Sequence, residues 1–253
     1  MKRVDRVTIL GAPVDCLDMA TAIELAEARI RDSRSAGAVL AVNPEKVYAL
    51  RDNRFLAEFF AQAAILIPDG IGVVLAMRLN GYRAARVPGV DLMQKLCAVA
   101  EDRGYRVFIY GAEEDVNRAA VARLCERHPA LQVVGRANGY TKDQEMAGLV
   151  DRINESKADI LFVALGSPRQ EAWMYQYLDR LQTVRICQGV GGSLNAIVGT
   201  VKRAPVTVQR LNLEWLFRLV QQPTRARRQI KLLRFVWEVG LDKARALLGN
   251  RNA

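Results

Sequence analysis

Short apolar, β-rich runs alternate along this chain with longer segments of helical period, and that rhythm constrains the fold more than any other feature. The runs fall near Val7–Leu10, Ala38–Val42, Ile65–Ile67, Arg106–Tyr110, Gln132–Val134, Asp159–Leu165 and Arg185–Gln188, and each reads as a strand. Between them, Gly89–Arg103, Glu114–Arg127, Lys142–Ser156 and Pro168–Leu181 repeat apolar residues three or four apart, which predicts helices. Strands alternating with helices point to the α/β class and a parallel sheet. In such an open sheet the ligand crevice lies at the carboxyl ends of the strands, so the residues just after each run are the first candidates for function.

With 253 residues, 51% of them apolar, the chain can bury the core of one α/β domain or of a domain plus an appendage. Its four cysteines, Cys16, Cys97, Cys125 and Cys187, form no CxxC pair, so neither a zinc pattern nor a disulfide framework is expected, and a reducing cytoplasm fits. The charged residues Lys2, Arg3, Asp5 and Arg6 lead straight into a strand without the apolar core of a signal peptide, so export is not expected. The longest apolar runs fall far short of the ~20 residues that cross a bilayer as a helix, which leaves peripheral contact as the expected mode at a membrane.

Five expected strands end in polar or glycine-rich turns: Asn43-Pro44-Glu45, Pro68-Asp69-Gly70, Gly111-Ala112-Glu113, Gly166-Ser167-Pro168-Arg169-Gln170-Glu171 and Gly189-Val190-Gly191-Gly192-Ser193. Each also opens a helix, where free N–H groups and the dipole favour anions. Ordinary capping explains any one of them; five on one edge of a sheet fit a phosphorylated ligand. Asp69, between Pro68 and Gly70, is the candidate general base, its alternative role being a cap for the helix that follows. Arg169 and Gln170 can bind phosphate oxygens or sugar hydroxyls. Neither glycine turn spells GxGxxG or GxxxxGK[ST], so dinucleotide or P-loop chemistry is not supported. His128, the sole histidine, precedes Pro129 and reads as a capping or surface residue, and no metal-ligand spacing is visible.

The formal charge of +10 is concentrated: from Lys202 onward twelve basic residues face three acidic ones, a net +9. That segment reads as helices Val206–Gln221 and Arg225–Leu248 flanking Pro223, the second with an apolar stripe of Ile230, Leu233, Trp237, Leu241, Ala244 and Leu248. Basic residues beside tryptophan and leucine suit an anionic lipid surface; a helix packed on its own domain is the alternative.

The turns above other than Gly111-Ala112-Glu113, together with Arg86-Val87-Pro88-Gly89-Val90-Asp91, Lys202-Arg203-Ala204-Pro205 and Leu213-Glu214-Trp215-Leu216-Phe217-Arg218-Leu219, resemble the WecG/TagA/CpsF family, glycosyltransferase family 26, over about residues 7–228. The resemblance implies a Rossmann-like core with helices on both faces (residues 1–201) and a basic helical, membrane-associating appendage (202–253). It implies an inverting transfer, without metal or other cofactor, from a UDP-sugar such as UDP-N-acetylmannosamine to a sugar on a polyprenyl diphosphate, in cell-surface polysaccharide synthesis. By the same resemblance Asp69 takes the acceptor's proton; Asn43, Arg86 and Gln170 line the pocket; Tyr140 and the Gly111 turn lie near the nucleotide; and Arg218, Arg225 and Arg228 approach the lipid diphosphate. Gly166, Arg169 and Gly191 complete the expected donor and acceptor pocket.

Two positions depart from the family pattern: many relatives carry threonine where this chain has Ala41 and aspartate where it has Asn195. Both are expected to face the pocket, so the donor sugar stays open among N-acetylmannosamine, its uronic acid and glucose. The expected location is cytoplasmic, on the inner face of the plasma membrane, with a homo-oligomer left open. The competing reading is a non-catalytic nucleotide- or RNA-binding protein whose basic tail contacts phosphates; it is disfavoured because the tail's tryptophans lie on an apolar helical stripe rather than on a surface for base stacking. A Rossmann oxidoreductase lacks its fingerprint.

Overall fold

The computed structural model describes residues 4–200, 204–205, 207–208, 214–221 and 226–249. The chain opens with a hairpin of β1 (Arg6–Ile9) and β2 (Ala12–Asp15), followed by α1 (Met19–Asp32), β3 (Gly37–Val42), α2 (Pro44–Asp52), α3 (Arg54–Gln62) and β4 (Ile65–Pro68). Next come α4 (Ile71–Leu79), α5 (Gly89–Arg103), β5 (Arg106–Gly111), α6 (Glu114–Arg127), β6 (Gln132–Ala137) and α7 (Met146–Glu155). The core closes with β7 (Ile160–Ala164), α8 (Arg169–Tyr177), β8 (Ile186–Gly189) and α9 (Ser193–Val198), and the tail contributes α10 (Glu214–Gln221) and α11 (Ala226–Gly249). Part of the expected helix Val206–Gln221 lies outside the described residues.

Six strands form one parallel sheet in the order β4-β3-β8-β7-β5-β6. Alternate residues feed two cores. Val39, Ile67, Ile109, Phe162 and Ile186 join Ala22, Leu96, Leu124 and Leu194 on the face of α1, α5, α6 and α9. Leu40, Leu66, Phe108, Leu161 and Val163 join Tyr48, Phe60, Leu149 and Trp173 on the face of α2, α3, α7 and α8. Burial on both faces explains why these strands read as apolar runs.

The first expected strand does not join the parallel sheet. Leu10 and Gly11 both take positive φ, 49° and 87°, the two-residue turn that closes an antiparallel hairpin, and Val7 pairs with Val14. The hairpin seals the edge of β4: the buried Asp15 carboxylate accepts the Leu66 N–H at 2.7 Å and is held by Arg6 at 2.7 and 3.0 Å. That covers an edge otherwise open to pairing with another chain.

Helix α11 packs on α2 and α4 and buries Phe235 and Val239 in the core beside Tyr48 and Val73. At Gly72 a Cβ would lie 3.0 Å from Leu232 Cδ1 and 3.4 Å from Phe235 Cδ1, so the absence of a side chain there lets the helices approach. Of the apolar stripe expected from the sequence, Leu233 (71% exposed), Trp237 (68%) and Leu241 point away from the core, as does the neighbouring Val236, and the side chains of Ile230 and Leu248 lie outside the described residues. The neighbouring α4 exposes Leu75 and Leu79. The tail helix is therefore apolar on two sides, one used by the core and one open. Among the described residues no helix is long and apolar enough to cross a membrane.

Ion pairs fasten this helix. Glu238 accepts from Arg51 at 2.6 Å and from Arg234 at 2.8 Å, while both guanidinium groups lie over the Tyr48 ring. The Arg51 hydrogen bond, followed by that of Arg234, holds the Glu238 carboxyl below the usual carboxylate range despite an opposing contribution from burial. A carboxyl with a lowered folded pKa stabilises the folded state above its unfolded value of about 4.3 and loses that contribution as pH falls through the folded value. Amide protection in α11, corrected for the intrinsic pH dependence of exchange, is therefore expected to fall below about pH 4, and a Glu238→Gln variant should lack this acid-dependent step. An identical pH profile in the two proteins would remove Glu238 from the docking.

Candidate active site

The turns after β3 and β4 interlock. Asp69 N–H and Gly70 N–H both donate to the Val42 carbonyl, at 3.1 and 3.3 Å, and Arg86 Nε donates to the Asp69 carbonyl at 2.8 Å. A Cβ at Gly70 would lie 2.8 Å from Pro44 Cδ and 3.0 Å from Asn43 Cβ, so glycine is what lets the two turns touch. Asn43 caps α2 by accepting the Lys46 N–H at 3.0 Å. Helix α4 begins after Gly70, an N-cap residue with no side chain of its own to cap the helix. Ala41 sits two residues before Asn43, in register with Ile67. Ala41, Asn43, Asp69 and Arg86 thus gather at one end of the sheet.

Arg86 does more than the sequence suggests. Its Nη2 donates to Glu214 at 3.0 Å, a carboxylate buried in the first turn of α10. One guanidinium therefore ties the Asp69 peptide to the tail.

A second group lies four strands across the sheet. The chain leaves β5 toward β6 and β7 toward β8, in opposite directions, which opens a crevice at their carboxyl ends. There Ala112, Glu113, Gly139, Tyr140, Gly166, Arg169, Gly191 and Asn195 line a cleft of about 300 Å³. Gly111 is indispensable to its floor: it has φ 121°, and a Cβ would fall 2.5 Å from the Ala164 carbonyl carbon. The wholly buried Asn117 donates to the Gly111 carbonyl at 2.8 Å and to that of Ala137 at 3.0 Å, pinning the ends of β5 and β6. Arg169 donates to the Gly139 carbonyl at 2.9 Å, and the Tyr140 hydroxyl approaches Glu113 at 3.5 Å. Asn195 Oδ1 accepts from the Thr200 hydroxyl at 3.1 Å.

Between the two groups runs a network that the sequence did not announce. Lys46, 8% exposed, reaches from α2 to Glu171, 1% exposed, in the first turn of α8, with Nζ and Oε1 2.6 Å apart, and it also donates to the Ser167 hydroxyl. Glu171 Oε1 accepts from Gln170 Nε2 at 3.0 Å, and Gln170 Oε1 accepts the Gly191 N–H at 2.9 Å. The available signal was Lys46 itself, a cation in the first turn of a helix, where the dipole disfavours it unless a partner holds it.

Other side chains stand aside. His128 ends α6 with Nδ1 2.7 Å from Glu101, in keeping with a surface cap. The cysteines are free thiols; burial pushes the Cys97 thiol up to about 12 and Cys187 upward as well, so both stay protonated at neutral pH. Among the described residues no group of three His, Cys, Asp or Glu side chains is placed to hold a metal. Arg218 and Arg228 lie on α10 and α11, their side chains outside the described residues, and Arg225 lies outside them altogether.

The chain is 32% identical over 233 residues, 92% of its length and 90% of its relative's, to an N-acetylglucosaminyldiphosphoundecaprenol N-acetyl-beta-D-mannosaminyltransferase of Bacillus subtilis (strain 168). A protein of the same name from Bacillus spizizenii (strain ATCC 23059 / NRRL B-14472 / W23) is 34% identical over 209 residues, 82% of this chain and 80% of that one. The sequence profile of the glycosyl transferase WecG/TagA/CpsF family spans residues 7–248, from the first hairpin through α11, and the chain belongs to that family.

Proposed function

We propose that this protein moves a sugar from a UDP-sugar to a sugar carried on a polyprenyl diphosphate, with inversion at the anomeric carbon and without a metal. The observation that carries the reading is the strand order. With strands about 4.8 Å apart, Asp69 at the end of β4 stands about 17 Å from the crevice between β7 and β5. A nucleoside diphosphate sugar is long enough to fill that span, whereas a free sugar is not. In this reading the nucleoside takes the end near Tyr140 and the Gly111 turn, the diphosphate passes Arg169 and the Gly191 turn, and the sugar ends among Gln170, Asn43 and Asp69. The names of the two relatives support both the acceptor class and N-acetylmannosamine as a donor sugar. Ala41 and Asn195 bear on which hydroxyls are recognised, and the uronic acid and glucose remain candidates.

In the transfer, the acceptor hydroxyl oxygen bonds to the anomeric carbon as the bond from that carbon to the UDP oxygen breaks, and Asp69 takes the hydroxyl proton. Negative charge grows on the departing diphosphate, where Arg169 and the arginines of the tail stabilise it. Arg218, Arg225 and Arg228 are the candidates to hold the acceptor's diphosphate. The exposed side of α11, with Leu233, Trp237 and Leu241 among the basic residues of the tail, supports reversible binding to an anionic membrane, on the cytoplasmic face.

A thermal-shift panel tests the donor class. At 100 times its Kd a ligand adds about 2.7 kcal/mol to stability, and about 2–4 °C per kcal/mol is usual for a chain of this size. UDP and the matching UDP-sugar should therefore raise the melting temperature by about 5–10 °C, with NAD inactive. No shift with any uridine nucleotide would defeat the proposal.

A further inference from the structure

Burying a lysine and a glutamate together is a weak way to stabilise a core, because desolvation offsets most of the attraction and an apolar pair of similar volume serves as well. Lys46 and Glu171 nevertheless meet across the end of β8, one from α2 and one from α8, 125 positions apart in the chain. Their contact leads directly to Gln170. An ionised carboxylate only accepts hydrogen bonds and a backbone N–H only donates, so an amide lying between Glu171 and the Gly191 N–H satisfies both in one orientation, nitrogen toward Glu171 and oxygen toward Gly191. The flipped amide would oppose oxygen to carboxylate and N–H to N–H. The amide also lies flat on the strand end: a Cβ at Gly189 would fall 2.8 Å from Gln170 Nε2 and 3.2 Å from its Cδ. Among the described residues Glu171 Oε2 is buried without a partner, and the contacts with Lys46 and Gln170 both run through Oε1.

We infer that Lys46 and Glu171 are a positioning pair: their buried contact keeps Glu171 an acceptor, which sets the orientation of the Gln170 amide and, through it, the backbone of the Gly191 turn. Neither residue needs to touch a ligand. An apolar pair would fill the same space without distinguishing the two ends of the amide, which gives the charges a purpose beyond packing. In the oriented state Gln170 keeps one N–H and one lone pair for a ligand, and the Gly191 turn, part of the cleft lining, is fixed before the ligand arrives. Only the identity of that ligand rests on the donor reading above.

The test uses the full chain carrying Lys46→Met with Glu171→Leu. Its melting temperature should stay near that of the parent, while amide exchange at Gly191 accelerates at least about tenfold. The KM for the UDP-sugar should rise about tenfold with kcat within about threefold, the split expected when a preformed ground-state contact is lost. Lys46→Arg, which keeps the charge, should retain the Gly191 protection. A folded double variant with unchanged Gly191 exchange and KM would overturn the inference. If the double variant does not fold, the parent protein still decides: Gln170 side-chain N–H protons, followed by 15N NMR, should exchange more slowly than those of an exposed glutamine, and exchange at the exposed rate overturns the inference. Failure of the parent to bind any uridine nucleotide would sink the donor reading instead, and the exchange measurements would remain decisive for the pair.

Discussion

Replacing Asp69 by asparagine is expected to lower turnover by roughly 10²–10⁴-fold, the usual contribution of a positioned general base, while leaving UDP affinity nearly unchanged. The substitution keeps the side-chain shape but replaces a charged, acceptor-only carboxylate, which can take a proton, by a neutral amide, which cannot. The turn itself should survive, because it is built from the backbone: the Asp69 N–H on the Val42 carbonyl, the Asp69 carbonyl under Arg86, and Gly70 against Pro44. Binding should survive as well, since the cleft at β5 and β7 lies at the other end of the ligand span. Single-turnover kinetics with calorimetric titration of UDP separates the two effects. Turnover within about threefold of the parent would exclude Asp69 as the base.

Changing Leu233 and Trp237 to serine should abolish binding to anionic vesicles. Each large apolar side chain moved from water into an apolar environment contributes about 1.5–3 kcal/mol, so losing two weakens partitioning by on the order of 10²–10⁴-fold. Both residues point outward, so the fold should be unaffected. Activity toward a long polyprenyl acceptor should fall with binding, and activity toward a short, water-soluble acceptor should not. The parent's binding should weaken with salt, because the basic residues near the lipid act through screened charge. Vesicle co-sedimentation at two ionic strengths is the measurement, and a doubly substituted protein that still sediments fully would remove the exposed side of α11 from membrane contact. Removing the whole helix is a poorer test, because Phe235 and Val239 would leave the core and uncover α2 and α4.

The parallel sheet and the five turns at its strand ends were legible in the sequence for a simple reason. Strands buried on both faces are apolar throughout, and the glycines, prolines and polar residues that end them stand out sharply. The hairpin was less visible because its second strand, Ala12–Asp15, contains Pro13 and no apolar run. On α11 the helical period found a true stripe, but a helix that is apolar on two sides does not reveal which side meets the core; Phe235 and Val239, absent from the stripe, are the buried ones. Contacts between residues far apart were the hardest to foresee. Lys46 with Glu171, and Arg86 with Glu214, are ordinary charges in the sequence and become informative only when the fold brings them together.

The pairing of β3 with β8 has a consequence during synthesis. Strand β3 ends at Val42, yet its partner is complete only at Gly189. At about 5–20 residues per second, the nascent chain carries β3 without that neighbour for roughly 7–30 s. During translation the half-built sheet, with β3 paired to β4 alone, leaves one edge of an apolar strand open, the kind of surface that holdase chaperones shield and crowded polysomes penalise.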